Sequence, residues 1–175
     1  MGIITAPVKV KLIMGLLFNK TVEYSNISEI LTKEFGNIDC KTEIEEFKFT
    51  DYYKKEMGAV LFRQYVTFEK LIVPEILADI KIRTNEIEDD LSISGRRNVN
   101  IDPGYLELGK LVLASTKNYT HRIYIGKGIY AEPTLQFFKK TYTKWPFSYP
   151  DYSDAKSVEF FNYARGVYKN QLDSQ

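Results

Sequence analysis

The stretch VKVKLIMGLLF, residues 8–18, decides the fold because its apolar residues first alternate with lysines and then fill every position. The even-numbered residues from Val8 to Leu16 are all apolar, which predicts one face packed against a core. Lys9 and Lys11 occupy the other face, until Ile13 and the residues after it make that face apolar as well. Strands that are apolar on both faces lie in the interior of a sheet. We therefore predict a strand over residues 8–18 that enters a sheet interior.

Several further elements follow from the segments after this strand. Residues 22–35 show the apolar spacing of a helix, and Gly36 supplies a stop. Residues 38–49 resemble a strand whose alternation breaks near Glu45-Glu46, which predicts a bulge or a split. Residues 50–58 predict a turn or a short helical turn, and residues 59–71 predict another strand.

A helix is predicted from Pro74 to Leu91, although residues 78–84 also alternate and a short strand is the competing interpretation. Residues 97–101 predict a short strand. Asp102, followed by Pro103, reads as the N-cap of a helix that continues through residue 116.

The last third of the chain predicts two strands and a helix. The segments HRIYIGKGIYAE and TLQFFKKTYTK have strand character, and Gly126-Lys127-Gly128 marks a turn or bulge. Ser153 or Asp154 is expected to cap a final helix.

Taken together, the predicted order is β-α-β-β-α-β, followed by a helix, two strands and a helix. The first six elements match the ferredoxin-like split βαβ order. We therefore predict an α+β fold in a single domain, residues 1–175, with an antiparallel or mixed sheet and helices on one face of this core. The remaining elements are expected to extend or cover the sheet.

Composition excludes several functional classes. Hydrophobic residues make up 44% of the chain and charged residues 27%, which is typical of a globular protein. The 24 basic and 23 acidic residues give a net charge of +1, so nucleic acid is not an expected partner. Cys40 is the single cysteine, which we expect to be a buried structural thiol in a cytoplasmic protein. No apolar run is long enough to cross a membrane.

Polar residues concentrate between residues 95 and 132. The stretch GRRNVNIDPGY, residues 95–105, contains Arg96 and Arg97, whose guanidinium groups suit carboxylates and phosphates. Adjacent arginines point to opposite faces of a strand, so they can grip one ligand only from a loop. The alternative is that one arginine pairs with a structural acid and the other is solvated.

Other candidate site residues lie on both sides of this stretch. His121 is the single histidine and a candidate for proton transfer, with Glu132 or Asp102 as its orienting carboxylate. Because His121 shares a predicted strand face with isoleucines, a core or rim role is the alternative. Ligand-binding candidates are Arg96, Arg97, Arg122, Tyr130 and Asp51. Asp51 and its neighbouring tyrosines have a structural alternative as a turn cap and a lid.

Four segments together resemble the domain-of-unknown-function family 4416 (DUF4416), bacterial proteins of about this length. They are FTDYYKKEMG, LADIKIRTNEIE, RRNVNIDPGYLELGKLVLASTKNYTHRIYIGKGIYAE and YPDY. The family brings no established activity or catalytic residues to transfer. Some relatives carry a provisional GTP-binding label, but this chain lacks a G-x-x-x-x-G-K-[ST] phosphate loop, and Val22 replaces the aspartate in the guanine-reading pattern at NKTV. We therefore expect no P-loop GTPase activity.

The sequence specifies neither a cofactor nor a metal site. One histidine rules out a histidine-rich zinc site, and the carboxylates of Asp51, Asp102 and Glu132, which suit a hard cation, are scattered along the chain. We expect a protein that binds a small anionic ligand, a nucleotide or a phosphorylated metabolite, with catalysis possible. The alternative is a non-catalytic module that contacts protein or RNA.

Overall fold

The computed structural model describes residues 2–174, which form nine strands and four α-helices. The helices are α1 (Tyr24–Phe35), α2 (Lys54–Met57), α3 (Leu77–Asp90) and α4 (Ala155–Asp173), with a 3₁₀ turn (Pro74–Ile76) before α3. The strands are β1 (Val10–Asn19), β2 (Ile38–Lys41), β3 (Glu45–Glu46), β4 (Leu61–Ile72), β5 (Val99–Leu106), β6 (Lys110–Ser115), β7 (Ile123–Gly126), β8 (Ile129–Phe138) and β9 (Thr141–Lys144).

All strands belong to one antiparallel sheet in the order β2-β4-β1-β5-β6-β8-β7. In addition, β3 pairs with β4, and β9 pairs with β8. The predicted α+β class is therefore confirmed. The strand β1 lies inside the sheet between β4 and β5, as its two apolar faces predict.

The two faces of the sheet carry different helices. The even-numbered residues of β1 pack with Ile27 and Leu31 of α1 and with Ile80 and Ile87 of α3. The opposite face includes Ile13 of β1 and packs against α4 through an aromatic group, Phe160, Phe161 and Tyr168. Burial of an apolar stripe on each side of the sheet stabilises this three-layer arrangement.

Lys11 is fully buried on the α4 face of the sheet. The sequence predicts a polar surface there, because Lys9 and Lys11 both occupy this face of the strand. The Lys11 ammonium donates to Asp39 Oδ2 at 2.5 Å, to the Phe68 carbonyl at 3.1 Å and to Gln171 Oε1 at 2.9 Å. All three donors of the ammonium are used, which compensates for the loss of water around a buried charge.

The predicted helix over residues 103–116 is wrong, because this segment contains the end of β5 and all of β6. Asp102 is therefore not an N-cap, and it lies within β5 opposite Gly15. Pro103 pairs with β1 just before pairing with β6 begins at Gly104, so its missing N–H is tolerated. A Cβ atom on Gly104 would overlap the Val112 carbonyl. The Pro-Gly pair thus permits close approach of strands and does not start a helix.

The two strands predicted over residues 121–132 and 134–144 are instead three, β7, β8 and β9, which are separated by turns at residues 127–128 and 139–140. Most other predicted elements are confirmed. The segment 38–49 is split into β2 and β3, and α1 ends at Gly36, whose φ of 99° suits glycine. The segment 78–84 is helical, so the strand alternative is wrong. Asp154 caps α4 by accepting a hydrogen bond from the Lys156 backbone N–H. Cys40 is buried, and burial raises the pKa of its thiol.

Within residues 2–174, the helices are all too short or too polar to cross a membrane.

Candidate functional site

A cavity of about 510 Å³ opens on the α4 face of the sheet, beside the segment that leads into α4. Its floor consists of residues from four strands, and its walls come from three connecting segments. The floor includes Arg63 of β4, Asp102 of β5, Leu113 of β6 and Glu132 of β8. The wall residues are Phe47, Phe49, Thr50, Tyr52, Tyr53, Lys117, Tyr119, Tyr149, Pro150, Asp151 and Tyr152.

Gly15 allows the floor side chains to lie close to the sheet. A Cβ atom at this position would overlap the Tyr152 hydroxyl and would lie 3.1 Å from Arg63 Nη1. Gly15 is paired with Asp102 across β1 and β5. The absence of a side chain therefore makes room for the charged and phenolic groups at this end of the floor.

Arg63 is the centre of a buried ionic group at one end of the cavity. Its Nη2 donates to Asp151 Oδ2, and its Nη1 lies 3.4 Å from Asp102 Oδ2. The Tyr65 hydroxyl also donates to Asp151 Oδ2, at 3.2 Å. Burial alone lowers the pKa of Arg63, but the surrounding tyrosines and carboxylates outweigh burial and raise it. The guanidinium therefore remains charged and fixes Asp151 at the cavity wall.

Glu132 and Arg122 form a second buried ion pair at the other end of the floor. Arg122 Nε donates to Glu132 Oε2 at 2.6 Å, and both side chains are almost fully buried. His121 Nε2 lies 3.3 Å from the same oxygen. The His121 ring stacks on Phe147 with centroids 4.1 Å apart. One carboxylate oxygen thus has two nitrogen neighbours in a fixed geometry.

The remaining nitrogens of Arg122 are also bonded. Nη1 donates to Ser115 Oγ at 2.9 Å and to the Lys117 carbonyl at 2.8 Å, and Nη2 donates to the Tyr149 hydroxyl at 2.6 Å. Burial raises the pKa of Tyr149 to about 12, so its hydroxyl is neutral and accepts this bond. Arg122 therefore joins the floor to the loop after β6 and to the segment before α4.

The mouth of the cavity is aromatic and carries an exposed lysine. Lys117 Nζ donates to the Tyr52 hydroxyl at 2.7 Å and lies 4.9 Å from the centroid of that ring. This hydrogen bond lowers the pKa of Tyr52. Tyr119 faces Arg122, whose guanidinium carbon is 4.6 Å from the ring centroid. The mouth therefore combines ring faces with a cation that pairs with a phenol.

Three polar atoms of cavity residues are buried without a hydrogen-bond partner among residues 2–174. They are Glu132 Oε1, Arg63 Nε and the Tyr152 hydroxyl. Buried polar atoms are nearly always bonded in folded proteins, and an unpaired one is costly. Their clustering in one cavity makes this the best candidate for a binding site in the part of the chain that the structure describes.

The structure brings three of the predicted site residues together. Arg122 and Glu132 line the cavity, and His121, which does not line it, lies next to Glu132 Oε2. Arg97 lies one layer away from the lining, with its guanidinium carbon 6.0 Å from the ring centroid of Tyr53, a wall residue.

Arg97 makes its hydrogen bonds with structural partners. It donates to Glu56 Oε2 at 2.8 Å, to Glu88 Oε2 at 3.1 Å and to Asn100 Oδ1 at 2.8 Å. The interpretation that one of the two arginines pairs with a structural acid agrees with this geometry. Arg97 supports the site through its neighbours and does not line the cavity.

The other predicted residues lie outside the lining. Arg96 is exposed in the turn before β5, where its backbone bonds to Ile93. Asp51 is exposed and pairs with Lys54 at 2.6 Å. Tyr130 precedes Glu132 on β8, and its ring packs on Tyr124 with centroids 5.3 Å apart. None of these three contributes to the cavity wall among the described residues.

Sequence reasoning missed Arg63, Asp151 and Lys117. Arg63 interrupts the apolar strand LFRQYV, and a charged residue inside a core strand requires a buried partner. That signal identifies the need for an acid without identifying Asp151, which is 88 residues away in the sequence. Lys117 has no distinguishing local pattern.

Metal ligation has no support from side-chain clustering. Across residues 2–174, no group of three or more histidine, cysteine, aspartate or glutamate side chains is arranged to hold a metal ion.

The fold and the site define an α+β protein whose single large sheet forms the floor of a charged, aromatic cavity. The chain belongs to the family described as Domain of unknown function (DUF4416), whose model matches residues 8–168. This confirms the resemblance seen in the sequence. No curated protein and no solved structure matches the chain.

Proposed function

We propose that the cavity binds a small anionic ligand, either a nucleotide or a phosphorylated metabolite. The observation that carries this proposal is the position of Lys117 at the aromatic mouth, where its ammonium pairs with the Tyr52 phenol and with no carboxylate of residues 2–174. An exposed ammonium bonded to a neutral group keeps its charge for an incoming anion.

The size and walls of the cavity support the same proposal. Its volume of about 510 Å³ falls in the range of small-molecule sites. Tyr52, Tyr53 and Tyr119 present rings at the mouth, and Phe47 and Phe49 add apolar surface. Such walls suit a base or a sugar ring attached to the anionic group.

If a reaction takes place at this site, we expect Glu132, and not His121, to exchange a proton with the ligand. Glu132 lines the cavity, whereas His121 reaches it only through the carboxylate. In this proposal Glu132 accepts or donates a proton, and His121 and Arg122 orient it. This reverses the roles that the sequence suggests, in which the histidine acts and the carboxylate orients it.

A further part of the proposal concerns the fold of residues 10–106, which we assign to the ferredoxin-like type. The strand order β2-β4-β1-β5, with antiparallel neighbours, supports this assignment. Packing of both α1 and α3 on the even-numbered face of β1 supports it as well. On this assignment, β6 to β9 extend the sheet and α4 covers its other face.

The proposed function is tested by thermal-shift and calorimetric titration with nucleotides, sugar phosphates and inorganic phosphate. A ligand that binds only the folded state raises the melting temperature. Lys117→Ala should weaken binding of the anionic compounds about 10-fold, the equivalent of one charge-assisted hydrogen bond. The matched control, Lys169→Ala, removes an exposed lysine of α4 that does not line the cavity, and it should leave the affinity unchanged. Absence of binding by every anionic compound would contradict the proposal.

A second candidate function, contact with protein, is favoured by the edge strand β7. Ile123 and Tyr124 there are 68% and 59% exposed, and β7 pairs only with β8 within the described sheet. An unpaired apolar edge can accept another strand, and we propose a second copy of this chain as its donor. Concentration-dependent sedimentation of the pure protein tests this: Ile123→Lys should abolish self-association, and a monomer at every concentration would contradict it.

Binding of RNA, the other partner considered for a non-catalytic module, is disfavoured by the net charge of +1.

A further inference from the structure

We propose that the ligand of this cavity carries, besides its anionic group, an N–H or O–H donor that binds Glu132 Oε1 on the sheet floor. This inference rests on the proposed function, since it concerns the same cavity. It narrows the ligand class to compounds such as amino- or hydroxyl-bearing phosphates and excludes bare polyanions.

The two oxygens of the Glu132 carboxylate have unequal surroundings. Oε2 accepts the hydrogen bond from Arg122 Nε and lies near His121. Oε1 is buried and has no hydrogen-bond partner in the described chain, although Glu132 is only 1% exposed and lines the cavity. A carboxylate oxygen has two lone-pair positions, and leaving it unbonded away from water is costly. A donor from a ligand removes that cost.

Neither Arg122 nor Leu113 supplies the missing donor in this arrangement. Arg122 already directs its other nitrogens to Ser115, to the Lys117 carbonyl and to Tyr149. Leu113, which pairs with Glu132 across β6 and β8, is apolar. Within the described chain Oε1 therefore keeps an unused acceptor position, which a donor entering the cavity would fill.

The charges of the lining agree with a ligand of mixed character. Three basic and three acidic side chains line the cavity: Arg63, Lys117, Arg122, Asp102, Glu132 and Asp151. An anion placed against Glu132 would face a carboxylate, whereas an anion at Lys117 faces an ammonium. A bound ligand should therefore direct its donor to the floor and its anionic group to the mouth.

The test uses compounds that share an anionic group and differ in a donor. Phosphoethanolamine is compared with phosphocholine, in which methyl groups replace the N–H donors without changing the charge. Glycerol 3-phosphate is compared with propyl phosphate, and AMP with its N6-dimethyl derivative. Inorganic phosphate and pyrophosphate represent anions alone. We expect the donor compound of at least one pair to bind about 10-fold more tightly, which is the worth of one good hydrogen bond to a charged group.

Variants connect that preference to Glu132. Glu132→Gln should reduce the ratio within the pair to about 2-fold or less, because the amide replaces the charged acceptor. Glu29→Gln, an exposed change on α1, should preserve the ratio. If Glu132→Gln fails to fold, Glu132→Asp takes its place, since it keeps the charge but shortens the reach into the cavity.

The outcomes separate the inference from the proposed function. Equal binding of all anions, with or without donors, overturns the inference and leaves the anion-binding function standing. A donor preference that survives in whichever Glu132 variant folds overturns it too. If no anionic compound binds at all, the proposed function itself fails.

Discussion

Arg97 Nη1 donates a hydrogen bond of 2.8 Å to Asn100 Oδ1, and this bond begins a chain of polar contacts that ends at the cavity. Asn100 Nδ2 donates to Asp102 Oδ1 at 2.9 Å, and Asp102 lies against Arg63. The polar residues of GRRNVNIDPGY therefore support the cavity floor from the side of β5. Their density reflects a structural network, which joins α2, α3 and the sheet.

This network predicts different costs for the two adjacent arginines. Arg97→Ala should lower the free energy of unfolding by about 2–3 kcal/mol, because the buried Glu88 carboxylate loses a charged partner. Arg96→Ala should change it by no more than about 0.5 kcal/mol, since Arg96 is exposed. Urea denaturation of both variants measures the difference. Equal costs would show that the contacts of Arg97 contribute little.

The Arg122–Glu132 pair should be strongly coupled. Both side chains are nearly inaccessible to solvent, so Arg122→Ala leaves a buried carboxylate and should cost about 3–5 kcal/mol. In a double-mutant cycle with Glu132→Ala, we expect a coupling energy of about 2 kcal/mol or more. The exposed pair Lys127–Asp79 is the control cycle and should give less than about 1 kcal/mol. Equal coupling in the two cycles would contradict the importance of burial.

Much of the fold follows from hydrophobic periodicity. The main exception is the segment after Asp102, which is predicted as a helix but forms strands for a physical reason. The central position of β1, the extent of α1 and the split of residues 38–49 are all visible as local patterns. The helix prediction for residues 103–116 fails because Asp-Pro favours a helix start locally, while pairing of β5 with β1 and of β6 with β8 places the segment in the sheet. Tertiary contacts between distant strands decided that segment, and local propensity cannot report them.

The site was predictable only in part, because its charged partners are distant in sequence. Arg122 and Glu132 are 10 residues apart on either side of the predicted Gly126-Lys127-Gly128 turn, so their association could be inferred. The Arg63–Asp151 pair spans 88 residues and joins β4 to the segment before α4. Such a pairing depends on how α4 packs over the sheet, which the pattern of one chain does not specify.

Gly15 gives a test of the packing beneath the cavity. Gly15→Ala should destabilise the protein by about 1–3 kcal/mol, since the new methyl group meets the Tyr152 hydroxyl and the Arg63 guanidinium. Tyr152→Phe alone should cost little, because this hydroxyl has no hydrogen-bond partner within residues 2–174. Thermal melts of the double variant should show less destabilisation than the sum of the single changes. Strict additivity would mean that the two residues do not compete for the same space.

Glu88 gives a test of pH dependence, because burial raises the pKa of its carboxyl group despite its contacts with Lys81 and the Ile101 N–H. A raised pKa means that the folded state binds this proton more tightly than the unfolded state. The stabilising contribution is therefore complete below the ordinary glutamate pKa and is lost as pH rises through the folded-state pKa. Glu88→Gln removes the titration, so the stability of the wild-type protein relative to this variant should fall as the pH rises above the ordinary glutamate pKa. Chemical denaturation at several pH values measures this difference, with the exposed change Glu86→Gln as the control. A relative stability that rises over this pH range would show that Lys81 and Arg97 outweigh burial and lower the pKa of Glu88.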